Sequence, residues 1–451
     1  MRDDSSSMKS QTGMPCNGRF ASTNTMINSI KGNWALFAAM LMLMAANGLL
    51  VTLLSVRGAA AGMSSSSIGL MQAGYPLGAL VGCVYAPRLI ARVGHVRAFA
   101  ALGSLCSITA IVHLMSIDVW TWGAMRMLSG FCFPGLYVIC ESWLNARTPN
   151  RSRAMVLSIY FVVQMAGASA GQALAGGDEN AGAMMFGFAS ILISVSFLPV
   201  LLSNNPAPDY VPPVRMSLRE LAGITSMGVL GSAMNGVAQA IVYIGLPLYG
   251  LALGMGPAEA TLLVVVATIS GAIAQFPVGL ISDRMDRRYV VAGLSIVSAF
   301  TSVVLVMGGF GDAILLAAAL FGASVLPVYS LCVAYTNDHL VPAQIIAASG
   351  SLVLTLNIGI LLGAFAGPAS LAIIGTAGVP ILLGIVSALT VAVAMVRVLR
   401  SAAPEDTGIA QPITVQGTQT VGVLHPEASA SDTPATSGTG HSRTTSKTSL
   451  V

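Results

Sequence analysis

VATISGAIAQFPVGLISDRMDRRYVVAGLSIVSAFTSVVLV, residues 266–306, is apolar, then abruptly charged, then apolar again. It belongs to two longer apolar segments, 257–281 and 289–308, separated by a short loop with two acids and three arginines. Each segment is near or above the roughly 20 residues that cross a bilayer as a helix. The stretch therefore reads as two membrane helices joined by a basic loop at one membrane face.

Outward from it the pattern repeats. Twelve apolar segments run over 34–56, 68–88, 98–117, 119–143, 154–175, 181–202, 220–248, 257–281, 289–308, 312–335, 343–367 and 376–399. Hydrophobic residues make up 55% of the chain and charged residues 8%, with a mean hydropathy of +0.80. A soluble domain carries about 25% charged residues, so this chain cannot dress a water-facing surface but can dress a lipid-facing one. In lipid only helices and closed barrels satisfy their own backbone, so the expected class is an all-α membrane protein of twelve transmembrane helices.

The expected divisions are a polar N-terminal tail over 1–32, a six-helix bundle over 33–202, a linker over 203–219, a second six-helix bundle over 220–400, and a polar tail over 401–451. The linker, SNNPAPDYVPPVRMSLR, has four prolines in seventeen residues. Both tails read as disordered, and the first has no apolar core of a signal peptide. Six cysteines show no CxxC and no paired spacing with histidine, so neither a disulfide framework nor a metal site is expected.

Arginines set the orientation. With the N-terminus inside, cytoplasmic loops hold Arg88, Arg92, Arg97, Arg147, Arg151, Arg153, Arg215, Arg219, Arg284, Arg287, Arg288, Arg397 and Arg400. The opposite loops hold Arg57 and otherwise only acids: Asp118, Asp178, Glu179, Glu259 and Asp312. Both termini are expected in the cytoplasm of a multi-pass inner-membrane protein.

The halves are related in one register. At an offset of 192 residues Arg92 meets Arg284, Gly130 meets Gly322, Tyr137 meets Tyr329, Cys140 meets Cys332, Gly167 meets Gly359 and Gly171 meets Gly363. Asn145 likewise meets Asn337, and Asn47 meets the similar Gln239. Two parallel repeats with a site between them at mid-membrane is a transporter architecture.

The loop GLISDRMDRR, Gly279 to Arg288, resembles the G-x-x-x-D-R-x-G-R-R signature of the major facilitator superfamily, with Asp286 where that pattern has its second Gly. Its first-half counterpart PRLIARVGHVR keeps Arg92, Gly94 and Arg97, and RMLSG, Arg126 to Gly130, is similar to the fourth-helix R-x-x-x-G motif. Glu141–Ser142, Gly171–Gln172 and LPVYSL…ND, from Leu326 to Asp338, resemble the YcaD-like subgroup. The fifth helix lacks the proline of the G-P-x-x-G-G motif of drug/proton antiporters, a departure that argues against plain multidrug efflux. The resemblance covers roughly residues 33–400. It implies the major facilitator fold, and gating or coupling roles for Arg92, Asp283, Arg284, Arg287, Arg288, Asn337 and Asp338.

In that loop Gly279 would let two helix ends approach, and Asp283 would accept hydrogen bonds from a neighbouring helix N-terminus, forming a cytoplasmic latch. The plainer reading is a basic loop that fixes topology. On helix seven Ser232, Asn235, Gln239 and Tyr243 share one face, either as a cavity wall or as helix–helix glue. Asn47, Gln72, Tyr75 and Tyr329 are further cavity candidates. The glycine pairs read as packing faces. His113 and His339 read as interfacial or hydrogen-bonded residues.

Arg126 and Glu141 are the two charges that helix four carries in its apolar run. An arginine at mid-helix costs about 2.5–3.5 kcal/mol on insertion scales. Arg126 should therefore face the interior and meet an acceptor, either an anionic substrate group or a proton-coupling partner; the alternative is snorkelling to the outer interface. Glu141 lies fifteen residues further on, about 22 Å along the helix, and cannot pair with it. A cytoplasmic-gate ion pair with one of the nearby arginines, a coupling proton site, and a carboxylate reaching interfacial water are its three readings.

A P-loop is excluded, because Lys9, Lys31 and Lys447 are the only lysines and no G-x-x-x-x-G-K-[ST] occurs. The expected function is secondary-active transport of a small solute, without ATP, nucleic acid, metal or cofactor, driven by an ion gradient such as protons or by the solute itself. A non-transporting membrane sensor would need an output domain, and a membrane enzyme would need clustered His/Asp or Ser/His groups; neither is seen in the sequence.

Overall fold

A computed structural model describes residues 32–148, 150–176, 182–202, 216–307 and 313–400. The tails expected at 1–32 and 401–451 lie outside the described residues, apart from Gly32. So do Asp178, Glu179, Arg215, Asp312, most of the 203–219 linker, and the side chains of Asn145, Arg147, Arg151 and Arg153.

Every one of the twelve apolar segments is helical. The first half holds α1 (Trp34–Ala60), α2 (Ser65–Val93), α3 (His95–Met115), α4 (Val119–Arg147), α5 (Asn150–Leu174) and α6 (Gly182–Leu201). The second half holds α7 (Leu218–Ile224), α8 (Ser226–Ala240), a π turn (Ile241–Gly245), α9 (Leu246–Ala252), α10 (Pro257–Ser282), α11 (Arg287–Val306), α12 (Ile314–Val325), α13 (Val328–Asn337), α14 (Pro342–Ile374) and α15 (Gly378–Arg400).

Two segments expected to be continuous are broken, each for a local reason. Over 220–248, Thr225 takes an extended φ of −136° and its hydroxyl accepts from the Gly228 N–H at 3.1 Å, so α8 starts afresh after the short α7. Later in the same segment, Pro247 has no N–H to give to the carbonyl four residues back. The turn before it widens, and the Leu246 N–H reaches the Ile241 carbonyl instead. Pro327 likewise separates α12 from α13.

The packing repeats between halves. In the first, α1 lies on α5 and α6, α2 on α4, and α3 on α4 and α6; in the second, α8 lies on α14 and α15, α10 on α12, and α11 on α12 and α15. The repeat extends to single atoms. A Cβ at Gly130 would lie 2.0 Å from the Tyr75 carbonyl oxygen, and one at Gly322 would lie 1.9 Å from that of Ala267. Gly171 faces the Ala45 carbonyl, and Gly363 faces that of Val237, in the same way. Each partner also stands 192 residues from its counterpart. Backbones this close leave room for no side chain, which makes these glycines packing residues.

The halves meet through α2 against α14, α5 against α10, and α1 against α9. The Thr268 hydroxyl donates across this seam to Gln172 Oε1 at 2.9 Å. Helices α3, α6, α11 and α15 stand away from the seam and expose large apolar groups such as Ile108, Ile191, Phe300 and Leu389. In water such a surface would aggregate; in a bilayer it is the lipid face.

Candidate functional site: a cavity between the halves

A cavity of about 170 Å³ lies on the seam, walled by α1, α2, α4 and α5 of one half and by α8, the π turn, α10, α13 and α14 of the other. Of the residues nominated from sequence, Asn47, Gln72, Tyr75, Gln239, Tyr243 and Tyr329 line it, together with Arg126.

Arg126 is the charge in this wall. It is 2% exposed, eight residues into α4 from the capping Asp118. Its guanidinium carbon sits 4.5 Å from the centre of the Tyr75 ring. Its Nε and Nη1 have no hydrogen-bond partner, and no carboxylate pairs with it among the described residues. The arginine faces the interior as expected, but no acceptor among the described residues meets its Nε or Nη1 there.

Neutral amides and phenols surround it. Gln72 Nε2 donates to the Val51 carbonyl at 2.7 Å and to Ser55 Oγ at 3.0 Å, leaving its Oε1 without a partner. Asn47 Oδ1 is likewise buried without one. The helix-seven face divides by depth. Gln239 and Tyr243 reach the cavity, whereas Asn235 does not line it. Asn235 lies one layer behind, donating to the Val325 carbonyl at 2.7 Å and accepting from Gln239 at 2.5 Å, so it is the glue that holds Gln239 in place. Ser232 is fully buried.

Among the polar lining groups, Tyr137, Gln172 and Gln275 were not named as cavity candidates. Tyr137, whose hydroxyl donates to Met44 Sδ at 3.2 Å, appeared only as the repeat partner of Tyr329. Gln275, bonded to Ser330 Oγ at 2.7 Å, stands as a lone amide in the apolar segment 257–281 and was legible on that ground.

The charged loop after α10 is organised differently from the expected latch. Asp283 caps the C-terminus of α10, 59% exposed, with Arg287 Nη1 at 3.7 Å. Among the described residues no neighbouring helix N-terminus donates to its carboxylate. Around a Cβ placed at Gly279 there is nothing within 4 Å, so no close approach occurs there. The well-formed contacts involve other acids. Arg287 Nε donates to Asp338 Oδ2 at 2.7 Å and its Nη1 to Ser282 Oγ at 2.7 Å. Arg288, 3% exposed, binds the Asp286 carboxylate through Nε and Nη2, and its Nη1 donates to the Arg397 carbonyl at 3.0 Å.

Asp286 explains its own departure from the family pattern. Its first-half counterpart, Gly94, turns the chain at φ +85°, which favours glycine. Asp286 sits at φ −57° and ψ 121° and caps α11 by accepting from the Arg288 N–H at 2.9 Å. Burial pushes its carboxyl up, but the hydrogen bonds from Arg288 outweigh this and hold it below the ordinary 3.8.

The remaining nominees stand apart from the cavity. Glu141 is 5% exposed near the end of α4. Arg92 and Arg284 are exposed at the membrane face where α1 begins and α15 ends. Asn337 Oδ1 is buried without a partner at the end of α13. His113 and His339 bond backbone carbonyls, those of Thr109 at 2.5 Å and Tyr335 at 2.8 Å, and neither lines the cavity.

A family model described as Major Facilitator Superfamily matches residues 35–226 and 228–428. An uncharacterized MFS-type transporter of Yersinia enterocolitica is 26% identical over 300 residues, 66% of this chain and 77% of its own length. The uncharacterized MFS-type transporter YcaD of Salmonella arizonae is 26% identical over 333 residues, 73% of this chain and 86% of its own. Among solved structures, a point mutant of the nucleoside transporter NupG aligns with a TM-score of 0.71 at 11% identity, over 81% of this chain and 99% of that one. A D-xylose–proton symporter aligns with a TM-score of 0.66 at 14% identity, over 84% and 99%. At these identities the structural likeness is one of fold.

Proposed function

The chain belongs to the major facilitator superfamily, and from that premise we propose that it is a secondary-active transporter of a small solute, working by alternating access between two six-helix bundles, residues 33–202 and 220–400. The observation that carries this reading is the cavity: its wall is divided between both halves, so a rocking motion about the seam would expose it to either side in turn. Its polar lining groups are amides, phenols and one guanidinium, which suit a solute recognised by hydrogen bonds.

The membrane is the inner membrane, in keeping with the bacterial relatives, with both termini on the cytoplasmic side in keeping with the arginine bias. Coupling is to an ion gradient, and protons are the ion to test first. Glu141 acts as a gate carboxylate at the cytoplasmic end of α4. The cluster of Asp286, Arg287, Arg288 and Asp338 holds the facing loop of the second half in register during the motion.

Solute flux into proteoliposomes tests this. D-xylose and a nucleoside are the first neutral solutes to try, and small carboxylates the first anions. Saturable, counter-flow-competent uptake that rises with an imposed proton gradient is expected for one of these classes. A purified protein that binds a solute yet moves it in neither direction would overturn the transporter reading.

A further inference from the structure

The cavity wall carries one permanent positive charge and, among the described residues, no acid. Seven described residues are acidic: Asp118, Glu141, Glu220, Glu259, Asp283, Asp286 and Asp338; none of them lines the cavity. Arg126 therefore rests against the Tyr75 ring and no carboxylate. The ring face attracts the cation, but it offers no in-plane acceptor, and the Nε and Nη1 nitrogens stay buried in the membrane interior without a hydrogen bond. An anion whose oxygens accept from the guanidinium satisfies them.

We propose that the substrate of this transporter is a small organic monoanion whose carboxylate docks on Arg126, with its body held by Asn47, Gln72 and Gln239. The proposal rests on the transport reading above and names the substrate class for the same site. One guanidinium matches one negative charge. A dianion such as a phosphate monoester would carry an unmatched charge into a wall otherwise lined by neutral groups. The planar guanidinium fork fits a carboxylate in two parallel hydrogen bonds. The remaining groups, Asn47 Oδ1 and Gln72 Oε1, are acceptors without partners, and call for a hydroxyl or N–H on the body of the solute. The apolar share of the wall, from Met44, Val51, Ala168, Leu326 and Ile360, suits a carbon skeleton more than a fully hydroxylated one.

The test is thermal unfolding and equilibrium binding of the full chain in detergent, with matched acids and amides: benzoate and benzamide, nicotinate and nicotinamide, lactate and lactamide. Sodium chloride and sodium sulfate serve as ionic controls. At least one carboxylate is expected to stabilise the wild type while its amide does not. Its binding should weaken by about thirtyfold or more in Arg126→Gln, and by less in Arg126→Lys, which keeps the charge but not the fork. Unliganded Arg126→Gln should be no less stable than wild type, which shows that the loss is not one of folding.

The proposal fails if no carboxylate of the set stabilises wild type beyond Arg126→Gln, if chloride protects as well as the carboxylates, or if amide and acid bind alike. Flux separates the two readings. Uptake of D-xylose or a nucleoside that persists in Arg126→Gln would keep the transporter and remove the anion site. Arg126-dependent binding of a carboxylate without flux would keep the anion site and remove the transporter.

Discussion

Arg287 Nε donates to Asp338 Oδ2 at 2.7 Å, tying the start of α11 to the end of α13. Both side chains are largely buried, at 16% and 25% exposure, whereas the Asp283 carboxylate that also faces Arg287 is 59% exposed and 3.7 Å away. A charge-assisted bond in a half-buried setting gives about 1.5–3 kcal/mol, and an exposed pair about 0–1 kcal/mol. Asp338→Asn is therefore expected to lower the thermal midpoint and slow flux several-fold, and Asp283→Asn to leave both near wild type. Unfolding in detergent and initial rates in proteoliposomes measure the difference; a larger effect at Asp283 would return the latch to the position the family pattern suggests.

Gly130→Ala would drive a methyl group into the Tyr75 carbonyl, 2.0 Å away. Overpacking costs about 1–3 kcal/mol, and here it also separates the helices that carry Arg126 and Tyr75. Lower stability and weakened substrate binding are expected together. Gly279→Ala meets nothing within 4 Å and, in a helix, should be neutral or stabilising by about 0.5–1 kcal/mol. A thermal scan of both variants checks the contrast.

Acid should weaken the Asp286–Arg288 contact. The folded carboxyl is held below its ordinary 3.8, so its contribution to stability is complete above that value and is lost as pH falls through the folded value. The stability difference between wild type and Asp286→Asn is expected to be constant near neutrality and to shrink below about pH 4. A difference that grew on acidification would mean the group binds its proton more tightly in the folded protein.

Orientation is tested with single cysteines in a cysteine-free background. Ser66→Cys, at the exposed start of α2, should react with an impermeant reagent from outside, and Met285→Cys, in the exposed loop after α10, should react only from the cytoplasm. Reaction of Met285→Cys from outside would invert the topology.

Glu141→Gln addresses the carboxylate near the C-terminal end of α4. A gate role predicts slower, inward-biased exchange with pH-dependent accumulation kept. Lost accumulation with exchange spared would make Glu141 the coupling proton site, and wild-type behaviour in both assays would leave it neither role.

The number of spans, most of their limits to within a few residues and the two-fold repeat were legible in the sequence. Bilayer thickness fixes helix length, and a fixed register of small residues is imposed wherever two backbones touch. Gly130 and Gly322 kept their offset because no side chain fits against the carbonyls of Tyr75 and Ala267. The breaks at Thr225, in the π turn before Pro247, and at Pro327 were written as a polar cap or a missing N–H, signals that hydropathy averages away.

Facing was decided only in three dimensions. In a lipid-spanning bundle the outward side is as apolar as the core, so periodicity does not say which way a polar residue points. That is why Gln239 and Asn235, one helical turn apart on the same face, could not be told apart as cavity wall and glue. It is also why Asp283, beside Arg284 in the chain, and Asp338, which has no arginine near it in sequence, exchanged their expected importance once α11 was packed against α13. Chain chemistry required Arg126 to find an interior setting. The tertiary structure determined that this setting is a cavity shared by both halves, with no acidic side chain among the described residues in its wall.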